Sequence, residues 1–321
     1  MTRMTPEAQT LVAKMRRPRF TRTVPEPIQL TADDLAIIGH IADHRFLRST
    51  HLARLIPHRS YKKLVERLAA LYHNNYLDRP RAQLDVYVSG GSAPMVYGLG
   101  IRGAELLAGY DGRSDIDWTA KNRDVGRVFI DHTLLLADLR VAVTCAVSQR
   151  PDIEIMSADH VLGNAPEATR RAPNPWKLTT RVQQGGHPLD LTVIPDAVFG
   201  LDFTAERRRK YFFVEADCAT MPVVRAGLHQ TSFARKLMAY LAGGGQANAF
   251  GRQLGIGNFR VLTVTTSAER IGSMIQALLG LTSGAGSAQF LFTDRSTLLA
   301  TRDLLSLEWI SGKGERVRIS D

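Results

Sequence analysis

Residues 191–199 are Leu-Thr-Val-Ile-Pro-Asp-Ala-Val-Phe, and residues 211–217 are Tyr-Phe-Phe-Val-Glu-Ala-Asp. Both stretches are rich in β-branched and aromatic residues, a composition typical of buried strands. The first contains Asp196, and the second ends on Glu215 and Asp217. Because side chains alternate along a strand, Glu215 and Asp217 should share one face, where a neighbouring strand would bring Asp196 beside them. The two stretches therefore predict a sheet on which three carboxylates converge.

The segments around these strands predict a mixed α/β domain. Apolar periodicity indicates, in chain order, a helix, three strands, a helix, a strand and a helix over residues 129–147, 153–157, 189–201, 210–217, 230–240, 259–266 and 268–279. This order favours a layered fold with a helix on each side of a central sheet.

Three converging carboxylates have a definite chemistry. They repel one another unless a hard cation such as Mg²⁺ or Mn²⁺ shares them. A divalent ion held there could activate water and stabilise the charge that develops on an attacked phosphate. A structural role stays open beside this one, in which Asp196 and Glu215 close strands or pair with Arg207, Arg235 or Lys236.

The N-terminal third has a different pattern, with three short helices followed by two short strands. Thr31-Ala-Asp-Asp34 predicts the start of a first helix that ends near His44, Ser49-Thr50 opens a second that Pro57 stops, and Arg59-Ser60 opens a third. Strands follow over 76–80 and 95–99, with a hairpin tip at 89–92 and a closing helix over 101–110. This is the element order of a winged helix-turn-helix domain.

The third of these helices carries the predicted DNA contacts. The apolar face of this helix is Leu64, Leu68 and Leu71. Its cations lie outside that face, and two arginines of the hairpin add to them. The predicted DNA-contacting residues are Arg59, Lys62, Lys63 and Arg67 of the helix, with Arg79 and Arg81 of the hairpin. In a winged helix the third helix enters the major groove and the hairpin lies along the backbone. The alternative is a small helical domain whose cationic face is only solvated.

Charge and composition agree with a nucleic-acid partner. The chain has 41 Lys and Arg against 31 Asp and Glu, and residues 1–110 hold +7 of the net +10. Such asymmetry is typical of a polyanion-binding end, although a basic protein can also carry charge for solubility. Two cysteines form no disulfide framework, and neither a signal peptide nor a membrane span is evident, which predicts a cytoplasmic protein without a membrane partner.

The predicted domain boundaries follow from these patterns. They are a basic flexible arm, a winged-helix DNA-binding domain, a polar linker and a mixed α/β domain, over residues 1–30, 31–112, 113–128 and 129–321.

Five stretches together resemble a known family. They are residues 131–140, 195–198, 213–217, 236–240 and 261–270. From about residue 31 the chain resembles the replication-relaxation family of plasmids and integrative elements, and its second domain resembles the PD-(D/E)XK nuclease fold. The resemblance implies Asp196 and Glu215 as ligands of Mg²⁺ or Mn²⁺. The nuclease pattern has Lys two residues after the Glu, where this chain has Asp217, so Lys236 is the expected replacement. Asp217 is then either a third ligand or a substitution that disables the site.

The function expected from the resemblance is that of a DNA-binding accessory protein of a mobile element. It would act in transfer, replication or relaxation of the DNA, with metal-dependent nicking as a candidate activity. The alternative is a non-catalytic transcription regulator whose second domain serves dimerisation or partner binding. The expected partners are double-stranded DNA, relaxase or replication proteins, and a second copy of the chain.

Overall fold

The computed structural model describes residues 19–86, 93–111, 118–184, 187–225, 231–245 and 247–321. The chain divides into two compact units, of which the first ends at Ile130 and the second runs from Asp131 to Asp321. Twelve α-helices and three sheets lie in the described residues, so the expected mixed α and β fold class is confirmed. None of the described helices is long and apolar enough to cross a membrane.

The first unit combines short helices with a small sheet. Its elements are α1 (Ala32–His44), β1 (Phe46–Arg48), α2 (Ser49–Leu55), α3 (Tyr61–His73), β2 (Leu77–Asp78), a 3-10 helix (Arg81–Val86), β3 (Val96–Leu99), α4 (Ile101–Asp111) and α5 (Trp118–Arg123). The strands form an antiparallel sheet in the order β1-β3-β2.

Helix caps set the bounds of these helices as the sequence predicts. Thr31 and Asp34 form a capping box at the start of α1, and the Ser60 hydroxyl accepts from the Lys63 amide at the start of α3. Strand β1, between α1 and α2, was not predicted. The predicted hairpin tip, residues 89–92, lies outside the described residues.

Residues 19–30, expected to belong to a flexible arm, are bonded to α3 and its C-terminal end. The Thr23 amide donates to His73 Nδ1 at 3.1 Å, and Asn74 Nδ2 donates to the Glu26 carbonyl at 3.0 Å. Arg67 Nη2 donates to the Gln29 carbonyl at 2.7 Å. The described part of the arm is therefore a packed segment of the first unit, and residues 1–18 lie outside the described residues.

The expected linker also contains structure. Residues 118–123 form α5, and its Asn122 is buried. Asn122 Nδ2 donates to the Leu99 carbonyl at 2.9 Å, while its Oδ1 accepts from Arg45 Nη1 at 2.6 Å. These bonds tie α5 to β3 and to the end of α1, so this part of the predicted linker belongs to the first unit.

The second unit is built around a large sheet. Its elements are α6 (Arg127–Val147, most of which lies in this unit), β4 (Ile153–Met156), α7 (Ala158–Gly163), α8 (Glu167–Arg170), β5 (Leu178–Gln184), β6 (His187–Val193), β7 (Ala197–Phe203), β8 (Arg208–Ala216), α9 (Phe233–Gly244), α10 (Ala249–Leu254), β9 (Phe259–Thr265), α11 (Ala268–Leu281), β10 (Phe290–Asp294), α12 (Arg295–Ala300), a 3-10 helix (Leu304–Ser306), β11 (Trp309–Ser311) and β12 (Arg316–Val317).

Seven strands form this sheet in the order β12-β11-β10-β9-β8-β7-β4. Strands β8, β9 and β10 are parallel, and the outer pairings are antiparallel. The run at 189–201, predicted as one strand, is two strands in different sheets, because β6 pairs with β5 in a separate hairpin. Pro195 lies in the break between β6 and β7, where its missing N–H interrupts no ladder.

The core of the second unit lies on both faces of the sheet, as expected. On one face, Leu135 and Leu139 of α6 lie in the same buried cluster as Phe212 and Val214 of β8. On the other, Phe213 lies in the same buried cluster as Leu237 of α9 and residues of α11. Alternate residues of β8 therefore pack on opposite faces of the sheet, each toward a helix on that face. The acidic residues follow at the end of the strand.

Candidate functional site

Asp196 is fixed against the end of β8. Its amide donates to the Val214 carbonyl at 2.9 Å, and its Oδ2 accepts from the Ala216 amide at 2.8 Å. The residue lies in the break after Pro195, so its side chain turns toward β8 and does not continue a strand. The structure thus brings Asp196 next to the strand that carries Glu215, as the sequence predicts.

Glu215 is buried, and both of its oxygens are occupied. Oε2 forms an ion pair with Lys236 Nζ, and Oε1 accepts from the Tyr240 hydroxyl at 2.6 Å. Lys236 and Tyr240 are four residues apart on α9, so they project from one face of the helix. The Ser232 side chain caps this helix and sets its start.

Burial and charge shape the protonation of this pair. Burial raises the pKa of Glu215 to about 7, against the opposing pull of Lys236 and with a further contribution from Asp196. For Lys236, burial favours the neutral amine, but the Glu215 and Asp196 carboxylates together hold its pKa above the usual value. Lys236 therefore keeps its proton and supplies the positive charge of the site.

His132, near the start of α6, is a second basic side chain at the site. Its Nε2 lies 3.2 Å from Asp196 Oδ2, and this hydrogen bond raises the pKa of His132. Burial alone would raise the pKa of Asp196, but the bond to His132 and the charge of Lys236 bring it below the usual value. His132 and Tyr240 were not predicted as site residues. Both lie in stretches that carry the family resemblance, 131–140 and 236–240, and Tyr240 has the four-residue spacing from Lys236 of one helix face.

Asp217 is committed to another partner. The Arg270 guanidinium pairs with both of its oxygens, with Nη2 2.7 Å from Oδ1, and the Thr265 hydroxyl donates to Oδ2 at 2.6 Å. Arg270 Nη2 also donates to the Met221 carbonyl at 2.6 Å. Arg270 lies in the first turn of α11, so Asp217 joins the end of β8 to that helix.

The donor set does not fit the expected divalent ion. Within the described residues, no group of three or more His, Cys, Asp or Glu side chains could hold a metal ion. In this part of the chain Asp217 pairs with Arg270, Glu215 with Lys236 and Asp196 with His132. Mg²⁺ and Mn²⁺ favour several oxygen ligands, and these paired carboxylates do not supply them.

Two predicted DNA-contacting arginines, Arg59 just before α3 and Arg67 in it, are also paired. Arg59 forms an ion pair with Asp33, and Arg67 Nε donates to Asp34 Oδ1 at 2.8 Å. Asp34 is fully buried, and both acids belong to the first turn of α1. Arg59 and Arg67 are therefore only partly exposed and pair with acids of α1, and their contact with DNA stays a prediction.

The other predicted cations differ in exposure. Lys62 and Lys63 are exposed on α3, and Arg81 is exposed after β2. Arg79 instead lies over the Tyr72 ring at 4.1 Å from its centroid, and its Nη1 donates to the Arg19 carbonyl at 2.6 Å. Lys62, Lys63 and Arg81 therefore remain as the accessible cations of the predicted set.

One comparison with known proteins identifies a relationship. A family model described as replication-relaxation matches residues 38–251, which is more than half of the chain. No curated protein and no solved structure matches. The matched region contains α3 as well as Asp196, Glu215 and Lys236.

Proposed function

Since the chain belongs to the replication-relaxation family, we propose that it is a DNA-binding accessory protein of a plasmid or integrative element. It acts in transfer, replication or relaxation of that DNA, and the first unit binds the duplex. The observation that carries the proposal is the order of elements in the first unit, α1-β1-α2-α3-β2-β3, with an antiparallel sheet in the order β1-β3-β2.

This order supports a winged-helix assignment. In such domains three helices precede an antiparallel pair of strands, and the last helix is the one that enters the major groove. Helices α2 and α3 are held together at their starts, where the Ser49 hydroxyl lies 2.9 Å from the Tyr61 hydroxyl. Helix α3 is therefore proposed as the groove-binding helix.

The contacts are proposed for the exposed cations. Lys62 and Lys63 bind the duplex from α3, and Arg81 binds a backbone phosphate after β2. Arg59 and Arg67 act indirectly, because their ion pairs with Asp33 and Asp34 fix the position of α3. The net charge of +10 adds attraction that does not depend on DNA sequence.

The second unit is proposed to act without metal chemistry. The nuclease resemblance implies Asp196, Glu215 and Lys236 as the site, but Asp196 is paired with His132, and Glu215 with Lys236. This pairing also supports the alternative of a transcription regulator whose second unit binds partners. Nicking with Mg²⁺ or Mn²⁺ stays a prediction of the resemblance, and incubation with supercoiled plasmid, with and without each ion, tests it.

The DNA-binding proposal is tested by titration of a fluorescent duplex at physiological salt. Lys62→Ala with Lys63→Ala should weaken binding several-fold, because two phosphate or groove contacts are lost. The matched control is Lys313→Ala with Arg318→Ala, which removes the same charge from exposed positions of the second unit. Equal affinity of the two double variants contradicts the role of α3, and no binding by the wild type overturns the proposal.

A further inference from the structure

A group of exposed cations in the second unit, Arg170, Lys177 and Arg252, lies apart from every predicted contact. We propose that these three side chains form a second DNA-contacting surface that binds the phosphodiester backbone. The inference rests on the proposed function in one respect, namely that DNA is the ligand. It adds a surface that lies on the second unit, whereas the predicted DNA contacts all lie on the first.

Gln253 brings the three cations together. The Thr169 hydroxyl donates to the Gln253 carbonyl at 2.7 Å, and Gln253 Nε2 donates to the Lys177 carbonyl at 3.2 Å. Arg170 directly follows Thr169, and Arg252 directly precedes Gln253. Lys177 is thus bonded to Gln253 through its backbone, Arg170 follows a residue bonded to Gln253, and Arg252 is the chain neighbour of Gln253.

Two backbone segments also approach each other closely in this region. Gly255 ends α10 with a φ of 65°, and a Cβ at this position would lie 2.0 Å from the Asn164 carbonyl oxygen. The segment that leads from α7 into α8 is therefore packed against the end of α10, and only glycine permits the contact. The backbone segments that carry Arg170 and Arg252 are therefore packed against each other.

The charges of this surface are available to a ligand. Arg171 and Arg181, close in sequence, form ion pairs with Glu167 and Asp190. By contrast, no carboxylate in the described part of the chain forms an ion pair with Arg170, Lys177 or Arg252. Three exposed cations without counter-charges on one surface suit a polyanion, and guanidinium and ammonium groups are the usual donors to DNA phosphates.

The number of phosphates bound gives a measurable quantity. Each phosphate that a cation neutralises contributes about 0.9 to the slope of log affinity against log salt. Loss of three contacts should therefore lower the magnitude of that slope by roughly 2 to 3.

The test compares three variants by fluorescence anisotropy with a double-stranded oligonucleotide, between about 50 and 200 mM salt. The first is Arg170→Ala, Lys177→Ala, Arg252→Ala. The charge-matched control is Arg302→Ala, Lys313→Ala, Arg318→Ala, which changes exposed residues elsewhere in the second unit. The third is Lys62→Ala, Lys63→Ala. We expect the first to bind at least several-fold more weakly than the control, with the smaller slope.

Equal binding by the first variant and its control overturns the inference. If that result occurs while the Lys62 and Lys63 variant is weakened, the proposed function of the first unit stands alone. Weakening of the first variant without an effect at Lys62 and Lys63 supports this surface and rejects α3. Absence of binding by the wild type overturns both. If the triple variant melts early, the exposed Arg252→Glu replaces it, with Arg302→Glu as its control.

Discussion

The ammonium of Lys236 pairs with the buried carboxylate of Glu215 across the gap between α9 and β8. In the nuclease pattern a lysine near this position orients water or neutralises charge on the phosphate under attack. In this protein the Lys236 ammonium is paired with one oxygen of Glu215, and the Tyr240 hydroxyl donates a hydrogen bond to the other. Because Glu215 is buried, breaking the pair from one side should have a measurable cost.

Replacement of Lys236 by Met should destabilise the protein. Above a pH of about 7, where Glu215 is ionised, the change leaves its carboxylate buried without a counter-charge, which costs about 3 kcal/mol when a buried pair is broken from one side. Adding Glu215→Gln should recover most of the loss, because no charge then remains unpaired. Urea unfolding of wild type, single and double variants measures this coupling. A double variant no more stable than Lys236→Met contradicts it.

The raised pKa of Glu215 predicts a pH dependence. Between about 4.5 and about 7 the folded protein holds a proton on Glu215 that the unfolded chain releases. The contribution of Glu215 to stability should therefore fall as pH rises through this window and stay constant above it. Glu215→Gln should remove this component, and the difference in unfolding free energy from wild type shows it. A contribution that rises with pH in the same window contradicts a raised pKa.

Arg67→Ala should destabilise the first unit. Asp34 is fully buried and accepts from the Thr31 amide at 2.7 Å, but its charge is balanced by Arg67. We expect a loss of about 3 kcal/mol, because the carboxylate is left without its cation. Lys63→Ala, four residues earlier and exposed, is the control and should change stability by under about 0.5 kcal/mol. Denaturation followed by circular dichroism compares them, and equal stability of the two variants counts against the role assigned to Arg67.

Asp217→Lys restores the residue of the nuclease pattern and should still give no nuclease. The new ammonium would face Arg270, which has lost its carboxylate partner, so repulsion replaces an ion pair. We expect a loss of stability and no nicking of supercoiled plasmid with Mg²⁺ or Mn²⁺. Asp217→Asn, which keeps the shape without the charge, separates loss of the ion pair from repulsion. Metal-dependent nicking by a stable Asp217→Lys protein would refute this view of the site.

Local patterns predicted much of the secondary structure, because caps and breakers act on their immediate neighbours. Thr31 and Ser60 begin helices as expected, and Pro195 separates two strands that apolar composition had merged. Strands β10, β11 and β12 were missed. They are short, and their pairing with β9 and with each other is a tertiary property.

The interaction partners of the site residues could not be predicted from local sequence patterns. Asp217 and Arg270 are 53 residues apart, and the sequence around either residue does not indicate the other as its partner. The same reason explains Arg59 and Arg67. Their spacing suggested a solvent-facing stripe, but Asp33 and Asp34, in the first turn of α1, are their ion-pair partners. Spacing gives the face of a helix, whereas tertiary packing decides what covers that face.

The bonds of Asn122 bear on protein engineering. A chimera that exchanged the first unit at residue 112, the boundary suggested by composition, would discard the Asn122 side chain that donates to the Leu99 carbonyl and accepts from Arg45. The Leu99 carbonyl would then lose a buried hydrogen-bond partner. A transferable first unit therefore extends at least through Arg123, so a chimera should carry α5 with it.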